Sequence, residues 1–310
     1  MAILLSTKAN AMEAWRDALL ELEPGLDIRL FPDAGDPAEI EAAVCWTQHD
    51  MGELRRYPNL GLIVSMGAGV DHLLRPPGPP PGVPVARLKD ERLTSGMTEW
   101  VLLNVLRFHR QDLEYRAQQA ARVWDELPAP ETSARRVGFL GLGELGMAAA
   151  HACRLLGFPV MGWTRRARQV EGVETFHGED GLAAMLGRSD ILVCLLPLTP
   201  DTRGILNART LAMLPRGAFL INAARGGHVA QPDLLEALDS GQIAAAALDV
   251  FEPEPLPADH PFWGHPRVLV WPHAASITIP RSAAPQVIEN LRRLREGREL
   301  INLVDFSAGY

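Results

Sequence analysis

The stretch VGFLGLGELG (137–146), continued by MAAAHACRLLG (147–157), reads as strand, turn and helix. Its three glycines stand in the spacing GxGxxG. Gly141 permits a sharp turn, Gly143 lets backbone amides approach a pyrophosphate, and Gly146 lets helix and strand pack closely. A glycine sextet alone also fits a plain tight turn. The apolar strand before it and the helix after it make this one a dinucleotide cradle, with the anion at the helix N-terminus, where N–H groups and the dipole favour negative charge. The expected fold is α/β with a parallel sheet.

Downstream, the strand FPVMGW (158–163) ends in Thr164, Arg165 and Arg166. An NAD site places an acid here to accept from the ribose 2′-hydroxyl. Guanidinium groups would instead pair with a 2′-phosphate through charge-assisted bonds. NADPH (NADP+) is therefore expected over NADH, with Arg165 the stronger candidate. The bland alternative is a pair of solvated surface arginines.

Around this unit, short apolar runs alternate with helical spacing along the chain. Strands are expected at 3–6, 27–31, 42–46 and 60–65, and a helix at 11–22. The proline-rich RPPGPPPGVP (75–84) is a surface loop, because proline lacks the amide and fixes φ. The apolar spacing from 96 to 121 predicts one long connecting helix. A second series follows, with strands near 137–140, 159–163, 191–195, 218–223, 243–250 and 268–271, and a final helix over 285–297. The outcome is two Rossmann-like units, the last helix returning to the first.

The 310 residues carry a net charge of −8, which disfavours nucleic acid and anionic membranes as partners. Cys45, Cys153 and Cys194 are scattered and odd in number, so neither a disulfide framework nor a structural zinc site is expected. Cys194, in ILVCLLP, reads as buried and inert. The histidines 49, 72, 109, 151, 177, 228, 260 and 265 show no ligand spacing, and no metal is assigned. The apolar run of MAILLSTKAN is too short for a signal peptide, and a reducing cytoplasm is the expected setting.

Three segments each place polar groups just after an apolar strand: Arg225 in INAARGG (221–227), acids in AALDVFEPEP (246–255), and His273 in WPHAAS (271–276). Ligands of an open parallel sheet bind outside the carboxyl ends of its strands. An arginine, a carboxylate and a histidine at that rim suit reduction of an anionic 2-oxo acid. The arginine holds the carboxylate and polarises the carbonyl, the histidine donates a proton as hydride arrives, and the acid orients the imidazole. Singly, each is more often structural. Together, beside a nucleotide turn, they point to catalysis.

With MGAGVDHLL (66–74), YRAQQ (115–119), LLPLTPDTRGILN (195–207), ALDVFEPEPLP (247–257) and HPRVLVWPHAAS (265–276), the chain resembles the D-isomer-specific 2-hydroxyacid dehydrogenases over nearly its whole length. Within them it is similar to the glyoxylate/hydroxypyruvate reductase A type. The resemblance implies a flavodoxin-like substrate-binding domain at 1–97 plus 282–310 and an NAD(P)-binding Rossmann domain at 98–281. It implies that Arg225 is the substrate arginine, His273 the acid/base and Glu254, rather than Glu252, its orienting acid. It places the substrate against Trp46, Gly67, Ala68 and Gly69 as well as Arg225 and His273. It extends the cofactor set from Gly141, Gly143 and Gly146 to Glu144, Leu145, Trp163, Thr164, Arg165, Arg166, Leu196, Pro197, Thr202, Ala223, Ala224, Asp249 and Ala275. The residue before Gly67 and the segment SITIPRS (276–282) depart from or vary within the family pattern, and both belong to the expected substrate pocket.

The implied partners are a small 2-oxo or 2-hydroxy acid and a second copy of the chain, a homodimer formed through the nucleotide-binding domain. Trp124, in the polar and proline-bounded QQAARVWDELPAP (118–130), fits an interface anchor or intrachain packing. Glyoxylate and hydroxypyruvate are the leading substrates. The alternatives are a dehydrogenase of a larger 2-oxo acid and a non-catalytic NAD(P)-sensing protein of the same fold.

Overall fold

The computed structural model describes residues 2–46, 51–74 and 76–306; His49 and Arg75, the first residue of the 75–84 stretch, lie outside them. In chain order the strands are β1 (Ala2–Ser6), β2 (Asp27–Leu30), β3 (Ile40–Cys45), β4 (Leu62–Ser65), β5 (Val85–Ala86), β6 (Val137–Leu140), β7 (Val160–Thr164), β8 (Glu174–His177), β9 (Ile191–Cys194), β10 (Ala218–Asn222), β11 (Ile243–Leu248) and β12 (Val268–Val270). The helices are α1 (Ala9–Leu22), α2 (Asp71–Leu74), α3 (Glu91–His109), α4 (Asp112–Ala121), α5 (Glu144–Leu155), α6 (Gly178–Leu186), α7 (Ala208–Met213), α8 (Gln231–Asp239) and α9 (Pro280–Arg295). The chain divides into two compact units, one of residues up to Leu93 together with those from Ile277 onward, the other Thr94–Ser276.

The first unit holds a parallel sheet in the order β2-β1-β3-β4-β5. Side chains alternate between its faces, as the pleat requires. Ile3, Leu5, Val44 and Val64 pack with Trp15 and Leu19 of α1 and Val287, Ile288 and Leu291 of α9. Leu4, Ile40 and Ile63 face the other way, with Leu54, Tyr57 and Leu73.

The second unit holds a parallel sheet in the order β12-β11-β10-β9-β6-β7-β8. Phe139, Val193 and Ile221 pack with Val101, Val105 and Phe108 of α3 on one face. Leu192, Leu220 and Leu248 pack with Met185, Leu211 and Leu234 on the other. Helices on both faces explain why these strands are near-continuous apolar runs.

Three expectations change. The long 96–121 helix is two helices, parted at Arg110 and Gln111, and Gln111 takes a left-handed backbone at φ 57°. No glycine or proline marks that break, so apolar spacing reads across it. Helix α9 starts at Pro280, not at 285: Pro280 takes the first turn, where its missing N–H costs nothing, and Pro285 lies inside the helix. β5 and β8 were not expected; both are sheet edges, β5 only two residues long and β8 without a buried apolar run. Among the described residues no helix is long and apolar enough to cross a membrane.

Candidate active site

Strand register builds the site. Leu140, Trp163, Cys194, Asn222, Leu248 and Val270 are aligned partners across six neighbouring strands of the second unit. The next residues along these strands therefore lie at one rim: Gly141, Thr164, Leu195, Ala223, Asp249 and Trp271.

On that rim, after β6, lies the glycine turn. Gly141 has φ 96°, and a Cβ on it would stand 2.9 Å from the Leu195 carbonyl oxygen. A Cβ on Gly146 would stand 2.1 Å from the Gly141 carbonyl oxygen, so helix and strand approach too closely for any side chain. Gly143 caps α5, and a Cβ there would meet no protein atom within 4 Å. The first helical bond runs from Met147 N–H to Gly143 O at 2.8 Å. The preceding amides, of Glu144, Leu145 and Gly146, begin the helix without an i−4 acceptor inside it. An open cradle of backbone donors at a helix start fits a pyrophosphate.

Thr164 ends β7, and its Oγ1 donates to the Arg166 carbonyl at 2.8 Å, curling the chain so that Arg165 and Arg166 are exposed beside the turn. Trp163 is half-buried, its indole N–H donating to Gly178 O at 2.8 Å. Arg168 was not foreseen. Its guanidinium donates to Leu142 O at 2.9 Å, inside the glycine turn, which makes a third cation of the RRAR run local to the cradle. After β9, Leu196 is buried, and buried Thr202 donates from Oγ1 to Pro197 O at 2.7 Å, closing that loop. Ala223 and Ala224 are buried after β10.

The titratable groups lie on the neighbouring strand ends. His273 Nδ1 is 2.8 Å from Glu254 Oε2, and Glu254 Oε1 accepts from Phe251 N–H at 2.9 Å. Burial alone would raise the Glu254 carboxyl. The hydrogen bonds from His273 and Phe251, with the charges of His273 and Arg225, outweigh it and hold the group below its ordinary value. Glu252, two residues earlier, is paired instead with Arg203 at 2.6 Å. Asp249 is 2% exposed, and its Oδ1 accepts from Ala274 N–H at 2.7 Å and Ala275 N–H at 3.0 Å. Burial raises its carboxyl, and the two amides only partly offset that. The Asp249 carbonyl also accepts from His273 N–H at 2.8 Å, so one residue fixes the histidine's backbone and the amides after it. His273 itself is in the left-handed region, φ 55°, which a non-glycine residue adopts only where its surroundings impose it.

Arg225 is half-buried, with one guanidinium nitrogen donating to Ala224 O at 2.7 Å. Two buried residues that sequence reasoning passed over hold its backbone. Asn222 Nδ2 donates to the Arg225 carbonyl at 3.1 Å, and His228 Nδ1 lies 3.1 Å from the same oxygen. Both lie within three residues of Arg225, and polar groups next to a buried strand end were the available signal.

In the first unit, Trp46 directly follows β3 and Gly67 follows β4 by two residues. The Trp46 ring packs on His72, centroids 4.3 Å apart, and a Cβ on Gly67 would stand 2.5 Å from that indole. Gly67 N–H donates to Ser65 Oγ at 3.3 Å; Ala68 and Gly69 follow, both half-buried. Cys45, Cys153 and Cys194 are buried free thiols, pushed up to about 12 by burial. Among the described residues no group of three or more His, Cys, Asp or Glu could hold a metal ion.

The family model described as D-isomer specific 2-hydroxyacid dehydrogenase, NAD binding domain, matches residues 102–275. Glyoxylate/hydroxypyruvate reductase A of Yersinia enterocolitica is 40% identical over 301 residues, 96% of each chain. A D-isomer specific 2-hydroxyacid dehydrogenase from Xanthobacter autotrophicus Py2, solved with NADPH and MES, is 44% identical with a TM-score of 0.94, covering 100% of this chain and 99% of that one. An NADPH-dependent glyoxylate/hydroxypyruvate reductase from Sinorhizobium meliloti, solved with NADP and sulfate, is 40% identical with a TM-score of 0.93 and the same coverage.

Proposed function

This chain belongs to the D-isomer specific 2-hydroxyacid dehydrogenases, and on that premise we propose that it reduces small 2-oxo acids, glyoxylate and hydroxypyruvate first, with NADPH in preference to NADH. The reading is supported above all by the Glu254–His273 pair standing at the strand-end rim that carries Arg225 and the glycine cradle. The Xanthobacter and Sinorhizobium relatives were solved with NADPH and NADP.

When bound, the reduced nicotinamide supplies the hydride to the carbonyl carbon. His273, tied through Nδ1, presents Nε2 and gives a proton to the carbonyl oxygen. Glu254 orients the ring through the Nδ1 contact. Arg225 pairs with the substrate carboxylate and polarises the carbonyl. In the first unit the amides of Ala68 and Gly69 are the substrate-binding groups, with Trp46 seated against Gly67. Gly141, Gly143, Glu144, Leu145 and Gly146 cradle the pyrophosphate. Thr164, Arg165 and Arg166, with Trp163 beside them, would hold the 2′-phosphate. Leu196, Pro197, Thr202, Ala223, Ala224, Asp249 and Ala275 would line the cofactor.

In this reading, residues 1–97 with 282–310 serve the substrate and 98–281 the cofactor. The protein works in the cytoplasm as a homodimer joined through the nucleotide-binding domain. Trp124 at 103% relative exposure, beside Val123 at 51%, supports that surface.

The test is the loss of nicotinamide absorbance with a panel of 2-oxo acids, run with NADPH and with NADH. The expected ranking by kcat/KM puts glyoxylate and hydroxypyruvate above branched acids. A branched acid at the top would redefine the substrate. NADPH binding with no turnover of any acid would make the protein a cofactor sensor.

A further inference from the structure

His228 is 0% exposed, and the hydride chemistry does not use it. It follows Arg225 by three residues, in the turn after β10. Its ring spans two backbone carbonyls: Nδ1 is 3.1 Å from Arg225 O, and Nε2 is 3.3 Å from Pro197 O. Those oxygens belong to different strand ends. Pro197 is in the loop after β9, closed by Thr202, and Arg225 follows β10. The neighbouring main chain is already committed. His228 N–H donates to Arg225 O at 3.2 Å, and Leu206 N–H to His228 O at 2.9 Å. A Cβ on Gly226 would stand 1.9 Å from the Phe251 carbonyl carbon, so the turn is packed directly against the chain that follows β11.

We propose that His228 is a positioning residue that ties the Arg225 backbone to the cofactor-lining loop at Pro197, so that the guanidinium meets the substrate carboxylate at a set distance from the nicotinamide. This rests on the proposed roles of Arg225 and of the 196–202 loop. An imidazole suits the task because its two nitrogens lie at opposite edges of one rigid ring; both carbonyls accept, so the ring donates to both as the imidazolium and to one of them as the neutral form. A side chain with a single nitrogen reaches only one of the two oxygens.

The test is a double-mutant cycle of His228→Leu and Arg225→Ala, read by kcat/KM for glyoxylate. NADPH affinity is measured by fluorescence and the thermal midpoint by circular dichroism, both without substrate. His228→Gln, which keeps one donor, is run in parallel in case the leucine variant does not fold. With Arg225 present, losing the bridge is expected to lower kcat/KM about tenfold or more. In the Arg225→Ala background the same change is expected to cost less than about twofold, because the group being positioned is gone. The glutamine variant should fall between wild type and leucine. Equal losses in both backgrounds, or a fall in kcat/KM matched by an equal fall in NADPH affinity, would make His228 merely structural. Wild-type protein inactive on every 2-oxo acid would overturn the functional reading and this inference with it, a pattern distinct from an active enzyme with an additive cycle.

Discussion

His273 Nδ1 and Glu254 Oε2 lie 2.8 Å apart, and His273 keeps that contact from a left-handed backbone at φ 55°. Such a conformation costs on the order of 1 kcal/mol and persists here because Asp249 O and Glu254 hold the residue at both ends. His273→Ala should lower kcat by about 10²–10⁴, the usual worth of a positioned proton donor. Glu254→Gln should lower kcat less, and neither should change NADPH affinity. Wild-type kcat in the alanine variant would remove His273 from the mechanism. Because the Glu254 carboxyl is held below its ordinary 4.5, its contribution to the fold is present above that value and is lost only as pH falls through the depressed one.

Gly143 and Gly146 should respond in opposite ways to the same methyl group. Gly146→Ala puts a Cβ 2.1 Å from Gly141 O and should lower the thermal midpoint, by about 1–3 kcal/mol of stability for an overpacked site. Gly143→Ala meets no protein atom within 4 Å, so the midpoint should hold while NADPH affinity falls. Calorimetry and cofactor titration on the two variants separate the effects. Unchanged NADPH binding in Gly143→Ala would place the pyrophosphate elsewhere.

Arg165 is exposed at the end of β7, where its charge acts at the surface rather than on the core. A charge-assisted bond to a 2′-phosphate is worth about 1.5–3 kcal/mol, so Arg165→Asp should cut kcat/KM with NADPH by about 10–100-fold. NADH turnover should change little. Equal losses with both cofactors would point to a structural arginine.

Acid should loosen the end of α3. His109 is buried against Phe158, and its Nδ1 has no hydrogen-bond partner among the described residues. Burial, with the charges of Arg135 and Arg110, holds its imidazole below the ordinary 6.5. The folded state therefore binds fewer protons than the unfolded chain just below 6.5, so stability falls as pH drops through that window. His109→Phe keeps an aromatic ring against Phe158 and removes the titration. Its thermal midpoint should depend less on pH between about 7 and 5 than that of wild type. Parallel curves for the two proteins would place the acid sensitivity elsewhere.

The strand–turn–helix around Gly141, the alternating order of elements and the candidacy of Arg225 and His273 were legible in the chain, because each rests on neighbours within a few residues. Apolar runs bounded by glycines, and polar groups directly after them, are local patterns. The break at Gln111 was not legible: a glutamine in left-handed backbone leaves no mark in the residue pattern. Residue pattern alone also could not separate Glu252 from Glu254, since EPEP offers two like carboxylates. Only the folded chain gives one to Arg203 and the other to His273.

What the amino-acid order determined by itself was the kind of sheet and the inventory of groups at its carboxyl end. What only the tertiary structure decided was their pairing: Glu254 with His273, Asp249 with the amides of Ala274 and Ala275, and His228 between Arg225 and Pro197. The physical reason is register. Strands β9, β10, β11 and β12 are separated in sequence by helices and loops, and their ends become neighbours only when long-range backbone hydrogen bonds align Cys194, Asn222, Leu248 and Val270 in one row.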